Sequence, residues 1–266
     1  MGLYAKETTD RMLLRQVLSD HALRASYMLG DLEPTHFRFT RWFVGSEHET
    51  APISAIVMLY TGLRLPVLLT HGNPHALNAA LELAIDDLPG QIHLQIERPH
   101  DLVMGRYYEV DTMRSMLRMG LRQEDYIPAE VDSENVVRLG HQDTADLMEL
   151  YGTTYPDAFF EPYQLEHGFY YGTRRDGRLV SAAGTHVFSE EFKIAAVGNV
   201  VTHPEYRGKQ LATTTVSALL NVLFEKVDAV ALNVAEENTS ARRAFENLGF
   251  KEHLRFLEGG PAIRRH

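Results

Sequence analysis

The stretch Val200–Leu220, VVTHPEYRGKQLATTTVSALL, decides how the chain is read. An apolar run ends at Thr202, a proline stands at 204, and Arg207-Gly208-Lys209 follows. A helix is expected from about Leu211 to Lys226, with Val216, Leu219, Leu220 and Leu223 on one face. The first amide N–H groups of such a helix have no intrahelical partners and carry the positive end of the helix dipole. Gly208 and Ala212 keep side chains out of the way, and Arg207 and Lys209 add full charges. A pyrophosphate suits such a turn. Taken alone, the stretch is equally a solvated turn that starts a helix. Gln210 stands where a phosphate loop would favour glycine: its N–H is kept, but its Cβ takes up room.

The flanking segments shift the balance toward the phosphate reading. Before the turn, KIAAVGNVVT reads as a strand. After it come a strand at AVALNV and a helix at NTSARRAFENLGF, with Asn238 as N-cap and Gly249 as the C-terminal stop. Arg207-Gly208-Lys209-Gln210-Leu211-Ala212 resembles the (Q/R)-x-x-G-x-(G/A) pattern of the GNAT superfamily of CoA-dependent N-acetyltransferases. Asn238 to Phe250 resembles the family's later N-x-x-A-R-x-x-Y-x-x-x-G-F. The resemblance covers about residues 135–258, and the two-half layout is similar to the glycine N-acyltransferase-like branch.

The resemblance implies acetyl-CoA, or another acyl-CoA, as co-substrate. The strands IAAVGNVV and AVALNV would splay at their C-terminal ends and take the pantetheine near Val200, Val201 and Thr202. Backbone N–H groups of Arg207, Gly208, Lys209, Gln210, Leu211, Ala212 and Thr213 would hold the pyrophosphate. Asn238 would bond the cofactor near the thioester, and Arg242 belongs to the same motif. Catalysis would be direct attack by an amine, with a backbone N–H near Val201 polarising the thioester oxygen. Phe245 occupies the position of a family tyrosine whose phenol protonates the departing thiolate; phenylalanine has no proton to give, and Ala241, Ala244, Phe245 and Leu248 also form an apolar helix face.

Base candidates follow from placement alone: His186 at a hairpin strand end, Asn199 and Asn233 as water positioners, and Glu236 after AVALNV. His186 reads equally as a surface histidine. In YGTTYPDAFFEPYQLEHG, the aromatic cluster Tyr155, Phe159, Phe160 and Tyr163 is the candidate acceptor site, or simple packing of two short helices. Asp157 or Glu161 could meet a cationic amine.

Composition sets the outer bounds. Charged residues are 23% of the chain and hydrophobic residues 44%, as in a soluble globular protein. A net charge of -10 argues against nucleic acid and anionic membrane as partners and suits a small-molecule amine. With no cysteine there is no disulfide, thiolate metal site or cysteine nucleophile. The 13 histidines show no metal-ligand spacing. The first residues do not read as a signal peptide, and no apolar run approaches the roughly 20 residues of a membrane span. A cytoplasmic protein is expected, and a homodimer is left open.

The first half repeats the order of the second: helix, three strands, helix, strand, helix, strand. Helical spacing falls near Met12–Leu23. Strands are expected at HFRFTRWFV, ISAIVMLY, LPVLLTHG, QIHLQIE and TMRSMLRM, with a helix from Asn73-Pro74 and a short one around RPHDLVMGRYY. LLTHGNPH and VVTHPEYR rhyme at the end of each third strand. The expected fold is α+β, a mixed sheet: GNAT in the C-terminal half and a degenerate GNAT-like N-terminal half from a tandem duplication. RQEDYIPAEVDSEN reads as the linker, giving domains 1–130 and 131–266. One CoA per chain is expected, because the first half offers no Arg-Gly-Lys. Two other readings stand beside an active enzyme: an acyl-CoA-binding or sensor module without turnover, and an interaction protein that has lost CoA.

Overall fold

The computed structural model describes residues 2–131, 134–156, 158 and 160–265. The first elements are β1 (Tyr4–Glu7), α1 (Arg11–Ser19), α2 (Ser26–Gly30), α3 (Pro34–Phe37), β2 (Thr40–Ser46), β3 (Ala55–Tyr60), β4 (Val67–Gly72), α4 (Pro74–Ala84), β5 (Gln91–Glu97), α5 (Asp101–Met104), β6 (Tyr108–Glu109) and β7 (Arg114–Arg122). There follow β8 (Val136–Arg138), α6 (Thr144–Thr154), β9 (Tyr171–Arg175), β10 (Arg178–Ser189), β11 (Ile194–Thr202), α7 (Leu211–Leu223), β12 (Ala229–Ala235), α8 (Thr239–Asn247) and β13 (Lys251–Arg264). No helix among the described residues is long and apolar enough to cross a membrane.

Two compact units form: Met1–Arg118 with Ala235–Glu237 and His253–His266, and Met119–Val234 with Asn238–Glu252. They do not follow a single cut near residue 130. The C-terminal segment joins the first unit because β13 pairs antiparallel with β5, from Phe256 opposite Glu97 to Ile263 opposite Gln91. A sequence pattern shows that a strand exists, not which distant strand it pairs with.

In the first unit β1, β2, β3 and β4 are antiparallel neighbours, and β4 and β5 pair in parallel from Val67 opposite His93 to Leu69 opposite Gln95. Pro74 fills the first turn of α4, and Asn73 Oδ1 accepts the N–H groups of His75 at 2.8 Å and Ala76 at 3.3 Å. The small face Ala76, Leu77, Ala80, Leu81 and Ala84 then packs with Phe43, Val57, Leu68 and Leu94. The strand expected from His36 begins only at Thr40, because Pro34 opens a helical turn that runs to Phe37.

In the second unit β8, β9, β10 and β11 are antiparallel neighbours, and β11 and β12 pair in parallel. The β9–β10 turn is Asp176-Gly177, both at positive φ (50° and 79°), as a two-residue hairpin requires. Helix α6 buries Leu147, Leu150 and Tyr151 against Leu179, Ala182 and Val201. Helix α7 meets the other face, where Thr215 Oγ1 lies 2.7 Å from Thr173 Oγ1 and 3.3 Å from Ser181 Oγ. The expected linker is partly fastened down: the Tyr126 hydroxyl bonds Ser217 and Asn221 of α7, and Ala129 N–H donates to Ser217 Oγ.

Candidate active site

The parallel ladder of β11 and β12 runs from Ile194 opposite Ala229 to Val197 opposite Leu232 and stops, though both strands continue. The cause lies on the far side of β11. Its register with β10 steps from Gly184 opposite Gly198 to Ala182 opposite Val201, so Asn199 and Val200 face Ala183 alone. Such a bulge bends and twists the strand that carries it. Asn199 takes the extra residue's strain at φ 53°, in the left-handed region that asparagine tolerates better than most residues. The two strands therefore part beyond Val197 and Leu232.

The bulge is held by a buried polar cluster. Tyr151 Oη donates to Asn199 O at 3.0 Å. Asn199 Nδ2 donates to Tyr170 Oη at 2.7 Å and to Gln164 Oε1 at 3.3 Å, and Tyr170 Oη donates to the same Gln164 oxygen. Tyr170 is fully buried, and Gln164 and Asn199 nearly so. Burial pushes both phenols above the ordinary tyrosine range, so they act as neutral hydrogen-bonding groups. Asn199 thus spends its carboxamide inside this cluster. Tyr151, Tyr170 and Gln164 were not among the sequence candidates. Tyr151 lies on the buried stripe of α6 with Leu147 and Leu150, the one local signal that marked it.

After β11 the chain makes a short turn at Pro204–Tyr206 and reaches α7. Gly208 (φ 76°) and Gln210 (φ 59°) are both left-handed. No side chain caps α7, and Thr214 N–H to Gln210 O at 3.0 Å is the first hydrogen bond at its start. The amides of Leu211, Ala212 and Thr213 therefore lack intrahelical acceptors and point back at the loop. Arg207 Nε donates to Thr202 O at 3.2 Å, and Lys209 Nζ lies 4.9 Å from the Tyr206 ring centroid, both side chains being exposed. Val201 and Leu211 are buried, which leaves their backbone groups as their contribution. The preference for glycine at position 210 acquires a different reason here: the constraint is the left-handed backbone rather than room for a ligand.

The acetyltransferase (GNAT) family model matches residues 138–250. The segment has the GNAT fold. Solved structures share the fold over more of the chain. A GNAT-family protein of Novosphingobium aromaticivorans is 24% identical, with a TM-score of 0.56 over 74% of this chain and 84% of its own. A GCN5-related N-acetyltransferase of Sphaerobacter thermophilus is 14% identical, with a TM-score of 0.65 over 99% and 96%. A tandem GNAT protein from the clavulanic acid biosynthesis pathway is 16% identical, with a TM-score of 0.57 over 98% of each chain. No curated protein matches the sequence.

Within this segment His186 lies where β11 and β12 begin to part. Its ring covers Gly198: a Cβ on that glycine would fall 2.1 Å from His186 Cε1. Asn233 follows Leu232, the last residue of the parallel ladder. On α8, Asn238 Oδ1 accepts Ala241 N–H at 3.1 Å, so the residue is the N-cap, and Arg242 is half-buried one turn on. Phe245 is buried, 5.9 Å from Phe250 edge to face, so the ring belongs to the core.

Other candidates disperse. Glu236 belongs to the first unit, where its carboxylate accepts Ser115 Oγ at 2.5 Å, pairs with Arg255 and lies 3.5 Å from Arg98 Nη2. A carboxylate so engaged is a poor proton acceptor. Phe160 packs on Tyr151 and Tyr170 at 5.3 and 5.7 Å, beside the bulge cluster. Tyr155 and Tyr163 are exposed. Asp157 and Phe159 lie outside the described residues. No group of three metal-ligating side chains occurs among the described residues.

Proposed function

We propose that the chain is an acyl-CoA-dependent N-acetyltransferase acting on a primary amine of a small molecule or amino acid. The observation that carries this reading is the parting of β11 and β12 beyond Val197 and Leu232. It leaves Val200–Thr202 without a β12 partner in the stretch of β11 that leads to the uncapped start of α7. The two left-handed residues, the unspent amides and the cations Arg207 and Lys209 fit a pyrophosphate.

Bound acetyl-CoA would supply the thioester whose acetyl group passes to the amine. Backbone N–H groups from Arg207 to Thr213 would hold its diphosphate, and backbone near Val201 would orient the acyl oxygen. His186, over Gly198, would take the proton that the amine sheds. Phe245 gives no proton, so the thiolate would leave without help from that position. Asn238 and Arg242 would contact the cofactor from α8, and Phe160, Tyr155 and Tyr163 would border the acceptor.

The first unit reads as a degenerate copy of the same fold, in the manner of the glycine N-acyltransferase-like branch. Its support is the shared strand order, three antiparallel steps and then one parallel step, in both units.

Thiol release from acetyl-CoA across a panel of amines and amino acids tests the activity. Release above background with at least one acceptor is expected. Cofactor binding with no release for any acceptor would favour the second reading, an acyl-CoA-binding module, which the buried Phe245 supports.

A further inference from the structure

The first unit also has a gap between its parallel strands, and polar side chains span it. The ladder of β4 and β5 stops at Leu69 opposite Gln95. Beyond it Glu97 N–H donates to Thr70 Oγ1 at 3.3 Å, and that hydroxyl lies 2.7 Å from His100 Nδ1. His100 Nε2 lies 3.0 Å from Gly72 O; a carbonyl only accepts, so Nε2 carries the proton and Nδ1 accepts from Thr70. Buried Glu97 takes Arg24 Nε at 3.1 Å, Arg24 Nη2 at 2.6 Å and His71 Nδ1 at 2.8 Å.

This arrangement assigns the free edges. A carboxylate only accepts, so His71 Nδ1 carries the proton shared with Glu97, and Nε2 is left as the acceptor nitrogen. Arg24 turns one edge of its guanidinium to Glu97 and keeps its Nη1 donors, with 39% of the side chain exposed. Buried Arg118 fixes Arg24 from behind, donating from Nη1 to Arg24 O at 2.7 Å.

Both His71 and Arg24 line a pocket of about 550 Å³, a size that suits a small ligand. Its lining adds apolar surface from Leu13, Val17 and Ile53, and one further carboxylate, Asp20. Ser54 lines it too, and its buried hydroxyl finds no hydrogen-bond partner among the described residues. An acceptor nitrogen, an oriented cation, an unspent hydroxyl and an apolar wall make a set that water alone leaves underused.

We propose that the first unit holds a binding site of its own for a small aliphatic acid with a hydrogen-bond donor on its α-carbon, an α-amino or α-hydroxy acid. The carboxylate meets Arg24, the donor meets His71 Nε2, and the aliphatic chain lies on Leu13, Val17 and Ile53. Asp20 favours the ammonium of an amino acid over a neutral hydroxyl. The site stands apart from the transferase reading, since it lies wholly in the first unit and needs no acyl-CoA.

Titration calorimetry on the full chain without acetyl-CoA tests this with four probes: L-leucine, 2-hydroxy-4-methylpentanoate, 4-methylpentanoate and 3-methylbutan-1-amine. The first two are expected to bind at least about tenfold more tightly than the last two, each of which lacks one polar partner. Tighter leucine points to the amino acid, and a tighter hydroxy acid to the hydroxyl compound. Val17→Phe fills the pocket without touching the Arg24, His71 and Glu97 contacts, and is expected to weaken both tight ligands by about tenfold or more. Equal affinity for all four, no binding of any at about 10 mM, or Val17→Phe binding as tightly as wild type would overturn the proposal.

Discussion

His186 lies so close over Gly198 that a Cβ at 198 would come within 2.1 Å of its Cε1. The glycine is therefore what lets the imidazole rest on β11 where the strands part. Gly198→Ala is expected to push the ring away and cost about 1–3 kcal/mol in overpacking. If His186 takes the amine proton, kcat falls about 100-fold in His186→Gln and at least about tenfold in Gly198→Ala. Denaturant melts and steady-state kinetics measure both; kcat values within about twofold of wild type would remove His186 from the mechanism.

Gln210 holds a left-handed conformation that costs a side-chain-bearing residue about 1–2 kcal/mol. Gln210→Gly removes that cost but loosens the unfolded chain by about 0.4–1 kcal/mol. The variant is expected to be as stable as wild type or slightly more so, with CoA bound no more weakly. Gly208→Ala at φ 76° is expected to lose about 1–2 kcal/mol and to weaken CoA. Urea melts with calorimetric CoA titrations give both numbers. A destabilised Gln210→Gly beside an unchanged Gly208→Ala would contradict the backbone explanation.

What the sequence revealed was chemistry confined to neighbouring residues. Asn73-Pro74 starts a helix, and Asn238 caps one that Gly249 ends at φ 99°, each for reasons contained within a few positions. The bulge at Asn199 was hidden because its partners, Tyr151, Gln164 and Tyr170, lie 48, 35 and 29 positions away. Strands β1 and β8, four and three residues long, are too short for alternation to register. Gln210 stands out in the sequence as a departure from pattern, but its left-handed conformation is set by the fold and leaves no local signal. Glu236 follows a strand whose end belongs to the first unit, and no spacing rule discloses Ser115 and Arg255 as its partners.

The Tyr170 hydroxyl is the acceptor for Asn199 Nδ2, in a fully buried setting. Tyr170→Phe takes that acceptor away and is expected to cost about 1–3 kcal/mol. Tyr155→Phe and Tyr163→Phe, at exposed positions, should stay within about 0.5 kcal/mol of wild type. Because Asn199 shapes the bulge, Tyr170→Phe should also raise the KM for acetyl-CoA, measured beside the melts. A Tyr170→Phe protein with wild-type stability and KM would mean that the bulge is set without the cluster.

One CoA per chain is the expected stoichiometry. In the first unit, Glu97, His71, Thr70 and His100 bridge the space beyond the β4–β5 ladder. The start of α4 is closed as well, since Asn73 Oδ1 takes the amides of His75 and Ala76 and Pro74 has none to offer. Calorimetry with CoA on the full chain should give a ratio near one. A ratio near two would show that this bridged gap opens to a cofactor.

Glu97 links stability to acidity. Burial alone would raise its carboxyl, but the hydrogen bonds from His71 and Arg24, with their charges, outweigh burial and bring it from an ordinary 4.5 to about 2. A folded-state value below the unfolded one means the ionised form stabilises the fold: the contribution is complete above about pH 4.5, shrinks as pH falls toward 2, and is gone below that. The shift corresponds to roughly 3 kcal/mol at most. Glu97→Gln is therefore expected to be less stable than wild type by several kcal/mol at pH 7, since Arg24 loses its counter-charge and His71 its carboxylate acceptor. That gap should narrow steadily between pH 5 and pH 3 in urea melts, because wild type is losing what the variant never had. A gap that stayed constant over this range would assign the acid sensitivity of the fold to other carboxylates.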